Sequence, residues 1–424
     1  MRTGREIHLA AVLQGEPAER HFAVVEVPVP APGPGEVLVR NAYMVLSPAV
    51  LSRMAAAGGL PVTRYEVGKV LFGSALGEVL ATGDEAPHGH PAAGTDGRPA
   101  DAPDGRRGRG PDAPLRPGDV VVHELGWREY ALAPPARFRR VPRRALAAPA
   151  RYLGNGLLAY YGLLDIAGMR PGDTVYVSSA AGAVGSVAGQ IARLKGAARV
   201  IGSAGTAAKT AHLTEVLGFD AAFDHRASGL HDPRRVPRHA AQLAARLRAA
   251  APGGIDVYFD TVGGAHLEAA VEVLRPHGRV ALCGMLAEQH GTGRYAAEPT
   301  PGPRNLGLAV AKSLTLRGFR VQDCPASTAA RYEADLEEWL ARGAIRLEDT
   351  VVDGLESAPA ALRDLVRGTY LGRVLVRLTD PGSHPGTTTD PTPGTGPATT
   401  PGTGPGTTPG TGPGTTPGTD LGES

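Results

Sequence analysis

Cysteine is almost missing from this chain: its 424 residues hold two, Cys283 and Cys324. That excludes a disulfide framework and a cysteine-rich structural zinc site. Lysine is nearly as rare, with four residues against forty arginines. Together with abundant Ala, Gly and Pro, this points to GC-rich, bacterial coding rather than to a function. Neither sign of charge dominates, and a net charge of +2 gives no general pull toward nucleic acid or acidic membranes. Aromatic residues are 5% of the chain and form no stripe with basic ones, so no nucleic-acid partner is expected. No apolar run reaches the ~18 residues that span a bilayer. The opening MRTGREIHLAAVLQGEP has no continuous apolar core of a signal peptide. A cytoplasmic protein with no membrane partner is expected. G-x-S-x-G at a strand–helix turn is missing too, which removes the usual nucleophile elbow.

Hydrophobic residues make up 42% of the chain, enough for packed cores, and the length accommodates two domains. Two segments cannot build a core. Over 381–424 the chain repeats PGTG and PGTT. A four-residue period excludes collagen, and a tail with nothing to bury is expected to be disordered. Residues 83–114, with Arg106, Arg107 and Arg109, read as a mobile loop inserted between two strands. Residues 1–150 otherwise carry short β-rich runs: FAVVEVPVP, GEVLVRNAYMVL, GSALGEVLATG and GDVVVHELGWREYALAP. They predict a partly open β-barrel. Residues 151–322 alternate strand and helix patterns (TVYVSS, RVIGSA, AAFDHR, IDVYFDTVG, GRVALCGML, LTLRGFRV) and predict a Rossmann-type, doubly wound parallel α/β sheet. Residues 323–380 hold an amphipathic helix over 328–342, then TVVDGL and RVLVRL, and the last strand is predicted to return to the first domain.

The most informative stretch is 173–209, DTVYVSSAAGAVGSVAGQIARLKGAARVIGSAGTAAK. A β-branched run enters a glycine turn, a helix with a small-residue face follows, and a second strand comes next. That is a βαβ unit with a dinucleotide fingerprint at its first turn. Alanine replaces the first glycine of G-x-G-x-x-G. Gly182 admits close approach of a pyrophosphate, Gly185 admits tight packing of helix on strand, and the helix N-terminus offers free N–H groups to phosphate. NAD sites place an acid about 20 residues on, at the ribose 2′-hydroxyl. This chain has Ser203-Ala204-Gly205-Thr206 there, with Lys209 one turn further. No carboxylate and a nearby ammonium suit the 2′-phosphate of NADP.

A barrel, a dinucleotide domain and a return to the barrel resemble the medium-chain dehydrogenases/reductases. More closely, the chain resembles their zinc-independent branch, which contains prostaglandin reductase (leukotriene 12-hydroxydehydrogenase) and plant NADPH-dependent alkenal double-bond reductases. The motifs that carry this are Gly126-Trp127, LGNGLLAYYGLLDIAGMRPGDTVYVSSAAGAVGSVAGQIARLKG at 153–196, GSAGTAAK at 202–209 and FDTVGG at 259–264, with GRVALCGM, GPRN, RGFRV and LGRVLV further on. The resemblance implies a GroES-like barrel beside the Rossmann domain, a homodimer, and a cofactor shell. Ala181, Gly182, Ala183 and Val184 would hold the pyrophosphate, and Lys209 and His225 would meet the 2′-phosphate. Thr261, Cys283, Gly284, Met285, Leu286 and Gln289 would line the nicotinamide half. Phe319 and Val321 would pack on the ring, and Tyr370 would lie near the carboxamide.

The substrate half departs from the branch pattern. His225 stands for a tyrosine, Thr261 and Tyr370 for asparagines, Ser47-Pro48-Ala49 for Asp-Pro-Tyr, and Gln289 for the tyrosine proposed to steady an enolate. The cysteine and histidine ligands of zinc alcohol dehydrogenases are not in the barrel sequence: no cysteine precedes Cys283, and His88, His90 and His123 have no partners at ligand spacing. No metal is expected. Hydride transfer from NADPH to the β-carbon of an enone or enal is then the leading expectation, with charge developing on the carbonyl oxygen. His290, Tyr43 and Tyr295, with Tyr370, are the candidate donors to that oxygen. A specialised secondary-metabolite substrate with reductive ring closure fits the rewritten pocket. An NADPH quinone reductase and a non-catalytic NADPH-binding protein are the alternatives.

Overall fold

The computed structural model describes residues 2–55, 62–83, 113–227, 236–287 and 302–378. The tail, the loop 84–112 with its arginine cluster, and the candidates Gln289, His290 and Tyr295 lie outside these residues.

Strands β1 (Thr3–Leu9) and β2 (Phe22–Pro28) pair as an antiparallel hairpin. The barrel sheet is built on β3 (Val37–Leu46), followed by β4 (Ala75–Thr82), β5 (Val120–His123), β6 (Tyr130–Ala133) and β7 (Arg139–Val141). The period of two divides the side chains of β5: Val120 and Val122 pack with Tyr43, Leu76 and Leu146, whereas Val121 joins Val37, Val39 and Phe138. The run GDVVVHELGWREYALAP forms two strands. It breaks at Gly126-Trp127, where Trp127 takes a left-handed φ of 63° and buries its ring completely against Phe22. A Cβ on Gly126 would lie 2.8 Å from the Gly73 carbonyl oxygen, so only glycine fits beside it.

The second sheet contains β8 (Thr174–Val177), β9 (Arg199–Ala204), β10 (Ala221–Asp224), β11 (Ile255–Asp260), β12 (Leu274–Leu282) and β13 (Thr315–Gly318). Its six strands are all parallel in the order β10-β9-β8-β11-β12-β13. In sheet numbering this is 3-2-1-4-5-6, the Rossmann order, with its topological switch between β8 and β11. All four residues of β8 are buried, as a central parallel strand covered by helices on both faces requires. The helix Gly185–Leu194 covers one face. A Cβ on Gly189 would overlap the Phe219 ring at 1.9 Å, so the small-residue face is what admits this packing.

Helix Ala326–Ala341 buries Tyr332, Leu336 and Trp339 with the core of this parallel sheet rather than with the barrel. The chain rejoins the barrel at β14 (Asp349–Asp353) and β15 (Arg373–Arg377). β15 pairs parallel with β14 and antiparallel with β3. A Rossmann sheet beside a GroES-like barrel is the architecture.

Candidate active site

Ligands of open α/β sheets sit at the carboxyl ends of the strands, at the switch point. Here that is the row of carboxyl ends of β8, β9, β11 and β12. β8 runs into Ser178 and then Ser179, whose φ of 46° makes the tight turn one residue before the position where the fingerprint usually has glycine. Ala180 therefore needs no left-handed conformation. A Cβ on Gly185 would stand 2.5 Å from the Ser179 carbonyl oxygen and 2.8 Å from Ala180 Cα, so the helix can start there only with glycine. The N–H groups of Ala183, Val184 and Gly185 meet no acceptor among the described residues. Orphan donors at a helix start are what a pyrophosphate satisfies. Ala181 uses its carbonyl elsewhere, accepting from Gly372 N–H at 2.9 Å, and Gly182 forms a parallel bridge with Gly372.

At the end of β9, Ala204 passes through Gly205 to Thr206, which caps the helix Ala207–Glu215 by accepting from Lys209 N–H at 3.2 Å. No acid stands in this turn. Lys209 Nζ donates to Gly368 O at 2.7 Å and to Tyr370 O. Burial, and then the nearby Arg226 guanidinium, lower its pKa. His225 directly follows β10, with its N–H on Ala204 O at 2.9 Å, and its ring lies 5.1 Å from that of His266. His266 in turn meets the Tyr176 hydroxyl at 2.9 Å. Tyr370 thus meets Lys209 through its backbone carbonyl. Arg226 was missed by sequence reasoning: one arginine among forty, it becomes visible only when β10 is laid beside β9.

On the other side of the switch point, Thr261 donates its N–H to Ser178 Oγ and its hydroxyl to Ser178 O. Asp260 is wholly buried beside it. Its Oδ1 accepts from the Tyr258 hydroxyl at 2.7 Å, Gly263 N–H at 2.8 Å and Val262 N–H at 2.9 Å. Burial raises its pKa against these donors. Cys283 and Gly284 donate their N–H groups to Asp260 O, and Leu286 donates to Thr261 O. A Cβ on Gly284 would come 3.1 Å from Thr261 O, which is how the segment lies flat on this loop. Burial, then the Asp260 carboxylate, push the Cys283 thiol up to about 12, which keeps it an unreactive thiol. Met285 is 45% exposed beyond it.

Phe319 packs edge-on against Tyr161, with ring centroids 5.6 Å apart. It is seated on Gly162, where a Cβ would come within 2.4 Å of its ring. Gly162 opens a π-helical turn, Gly162–Ile166, a distortion frequent at functional sites. Val321 is half-buried at the start of the turn Val321–Asp323. The structure thus brings Thr261, after β11, against Cys283, Gly284, Met285 and Leu286, after β12, and Phe319 into the same apolar cluster as Cys283. Tyr43 belongs to a different cluster, within the barrel, among Leu76, Val120, Leu146 and Leu375. Among the described residues, no three His, Cys, Asp or Glu side chains are grouped so as to hold a metal ion.

Residues 183–341 match the family model described as zinc-binding dehydrogenase, and residues 5–94 the model described as N-terminal domain of oxidoreductase. The chain is 32% identical over 384 residues to a putative NADP-dependent oxidoreductase of Bacillus subtilis, covering 89% of this chain and 98% of that protein. It is 31% identical over 380 residues to the NADPH-dependent curcumin reductase of Escherichia coli, covering 87% and 95%. Prostaglandin reductase 1 of Rattus norvegicus is 30% identical over 86% of this chain and 96% of its own. Among solved structures, CurA of Vibrio vulnificus in complex with NADPH superposes with a TM-score of 0.73 at 30% identity, covering 88% of this chain and 99% of that one. Similarity that runs through both lobes at this level assigns the whole described chain, and not the dinucleotide half alone, to the medium-chain dehydrogenases/reductases, in the branch of the prostaglandin and alkenal reductases.

Proposed function

We propose that this protein is an NADPH-dependent oxidoreductase that reduces a carbon–carbon double bond conjugated to a carbonyl group. The observation that carries this is the end of β9: a turn without any acid, closed by Lys209 and faced by Arg226. The names of the relatives, which act on curcumin, prostaglandins and alkenals, support the reaction class. NADPH, when bound, supplies the hydride for the β-carbon. The free N–H groups of Ala183, Val184 and Gly185 take up pyrophosphate charge, and Lys209 takes the 2′-phosphate. Thr261, Cys283, Gly284, Met285 and Leu286 line the nicotinamide half, while Phe319, locked by Gly162, keeps water from its side of the crevice. Negative charge that develops on the substrate carbonyl oxygen needs a preorganised donor. His290 is the proposed donor, since it follows the strand-end segment in sequence, with Tyr295 the second choice. Tyr43 is assigned to barrel packing.

Ser47-Pro48-Ala49 and Gln289, where relatives carry Asp-Pro-Tyr and tyrosine, favour a specialised substrate over a simple alkenal. A substrate with an internal electrophile would let the enolate carbon close a ring, expelling a leaving group instead of taking a proton. The test is NADPH consumption across a panel of enals, enones and quinones, with products identified by mass. Enones should gain two hydrogens. Turnover of quinones alone, or none at all with tight NADPH binding, would replace this function by one of the two alternatives.

A further inference from the structure

We propose that Arg226 is a second ligand of the NADPH 2′-phosphate and that, with Lys209, it sets preference for NADPH over NADH; this rests on the cofactor placement above. The Arg226 guanidinium is wedged between two glycines on separate lobes. A Cβ on Gly205 would come 3.0 Å from its Nε, and a Cβ on Gly368 would come 3.4 Å from a terminal nitrogen. Gly205 lies in the turn where an NAD site would carry its ribose-binding acid, so the arginine covers the place of that acid.

The hydrogen bonds of the two cations leave donors in reserve. One Arg226 terminal nitrogen donates to Arg367 O at 3.1 Å, while Nε is buried without a partner. Lys209 Nζ holds the carbonyls of Gly368 and Tyr370. Among the described residues neither side chain forms an ion pair, and the Asp224 carboxylate is engaged with the backbone N–H of Arg226 at 2.7 Å. Two like charges are therefore held together with only carbonyl oxygens between them. That arrangement gains from an anion carrying several oxygens, and a guanidinium can meet a phosphate through two N–H groups at once. The N-terminus of the helix Ala207–Glu215, at whose third residue Lys209 stands, adds its dipole to the same place. The Lys209 pKa, lowered by burial and by Arg226, is the electrostatic sign of an anion-poor site.

The experiment is calorimetric binding of 2′,5′-ADP, 5′-AMP, NADPH and NADH to wild type, Arg226→Ala, Arg226→Gln, Arg226→Lys and Lys209→Ala. Arg226→Ala and Arg226→Gln should weaken both phosphorylated ligands about ten- to a hundredfold and leave 5′-AMP and NADH unchanged. Arg226→Lys should recover part of the loss. Arg226→Gln keeps a donor for Arg367 O, so it remains informative should the alanine variant unfold. Equal losses for phosphorylated and unphosphorylated ligands would make Arg226 a structural clamp and overturn the inference. Loss in Lys209→Ala alone would overturn it while leaving the cofactor placement intact. Wild type that fails to distinguish 2′,5′-ADP from 5′-AMP would overturn the placement itself.

Discussion

Thr261 and Ser178 tie the ends of β11 and β8 together twice, through Thr261 N–H to Ser178 Oγ at 3.0 Å and Thr261 Oγ1 to Ser178 O at 2.9 Å. The two strands pair over Val175–Val177 and Val257–Phe259, and the Thr261–Ser178 pair carries the link past the end of the ladder, at the switch point where the connections leave for opposite faces. Thr261→Val keeps the shape and strips the hydroxyl, leaving a buried carbonyl unpaired. Urea unfolding should show a loss of about 1–3 kcal/mol. NADPH affinity should fall as well, since the strand-end loop rests on this pair.

Gly185→Ala tests the dinucleotide turn. The new methyl meets backbone on two sides, which cannot rotate away as a side chain would. A destabilisation of about 1–3 kcal/mol and loss of NADPH binding are expected. Gly302→Ala is the control, because its Cβ would meet nothing within 4 Å. Equal behaviour of the two variants in melting and binding would contradict the packing described.

The acid side of the stability profile should carry one identifiable proton. His123 is buried in the barrel, and its pKa is lowered to about 3, chiefly by burial and then by Arg128 and Arg137. Its Nδ1 accepts from Leu125 N–H at 3.0 Å. Between about 6.5 and about 3, the unfolded chain binds a proton that the folded chain refuses, so stability falls as pH drops through that window by a few kcal/mol. His123→Asn keeps an acceptor for Leu125 and removes the titration. Its unfolding free energy should slope less steeply with pH there, and an unchanged slope would place the proton elsewhere.

Strand β13 pairs with β12 alone among the described strands, so no described strand covers its outer edge. Val310, 84% exposed, and Leu306, 48% exposed, stand on the connection that leads into it. An open edge beside apolar side chains is a pairing surface. A homodimer that joins two sheets at β13 should sediment as such, and Val310→Asp should shift it toward monomer. A monomeric wild type at micromolar concentration would remove the dimer.

Local chemistry was readable in the sequence where a short stretch carries all of it. The glycine turn, the acid-free β9 end and Lys209 lie within one βαβ unit, so spacing alone placed them. Contacts that join distant segments were not readable. Arg226 matters because β10 lies beside β9 and because residue 368 returns from the barrel. Asp260 is one letter of FDTVGG in the sequence, and only the fold gathers the Tyr258 hydroxyl and two loop amides on its oxygen. The helix near 328–342 was legible from its periodicity, but an apolar stripe does not say which core receives it. Trp127 stands inside a β-rich run whose propensity is silent about a left-handed residue in its middle.

Gly372, just before the last strand, donates its amide N–H to the Ala181 carbonyl inside the glycine turn. Nearly two hundred positions separate the two. On the proposed cofactor placement, a fragment trimmed to end with the parallel sheet would lack a wall of its ligand cradle and should bind nucleotide more weakly than the whole chain. Insertions or fusions are better placed at the opposite, amino-terminal rim of the strands.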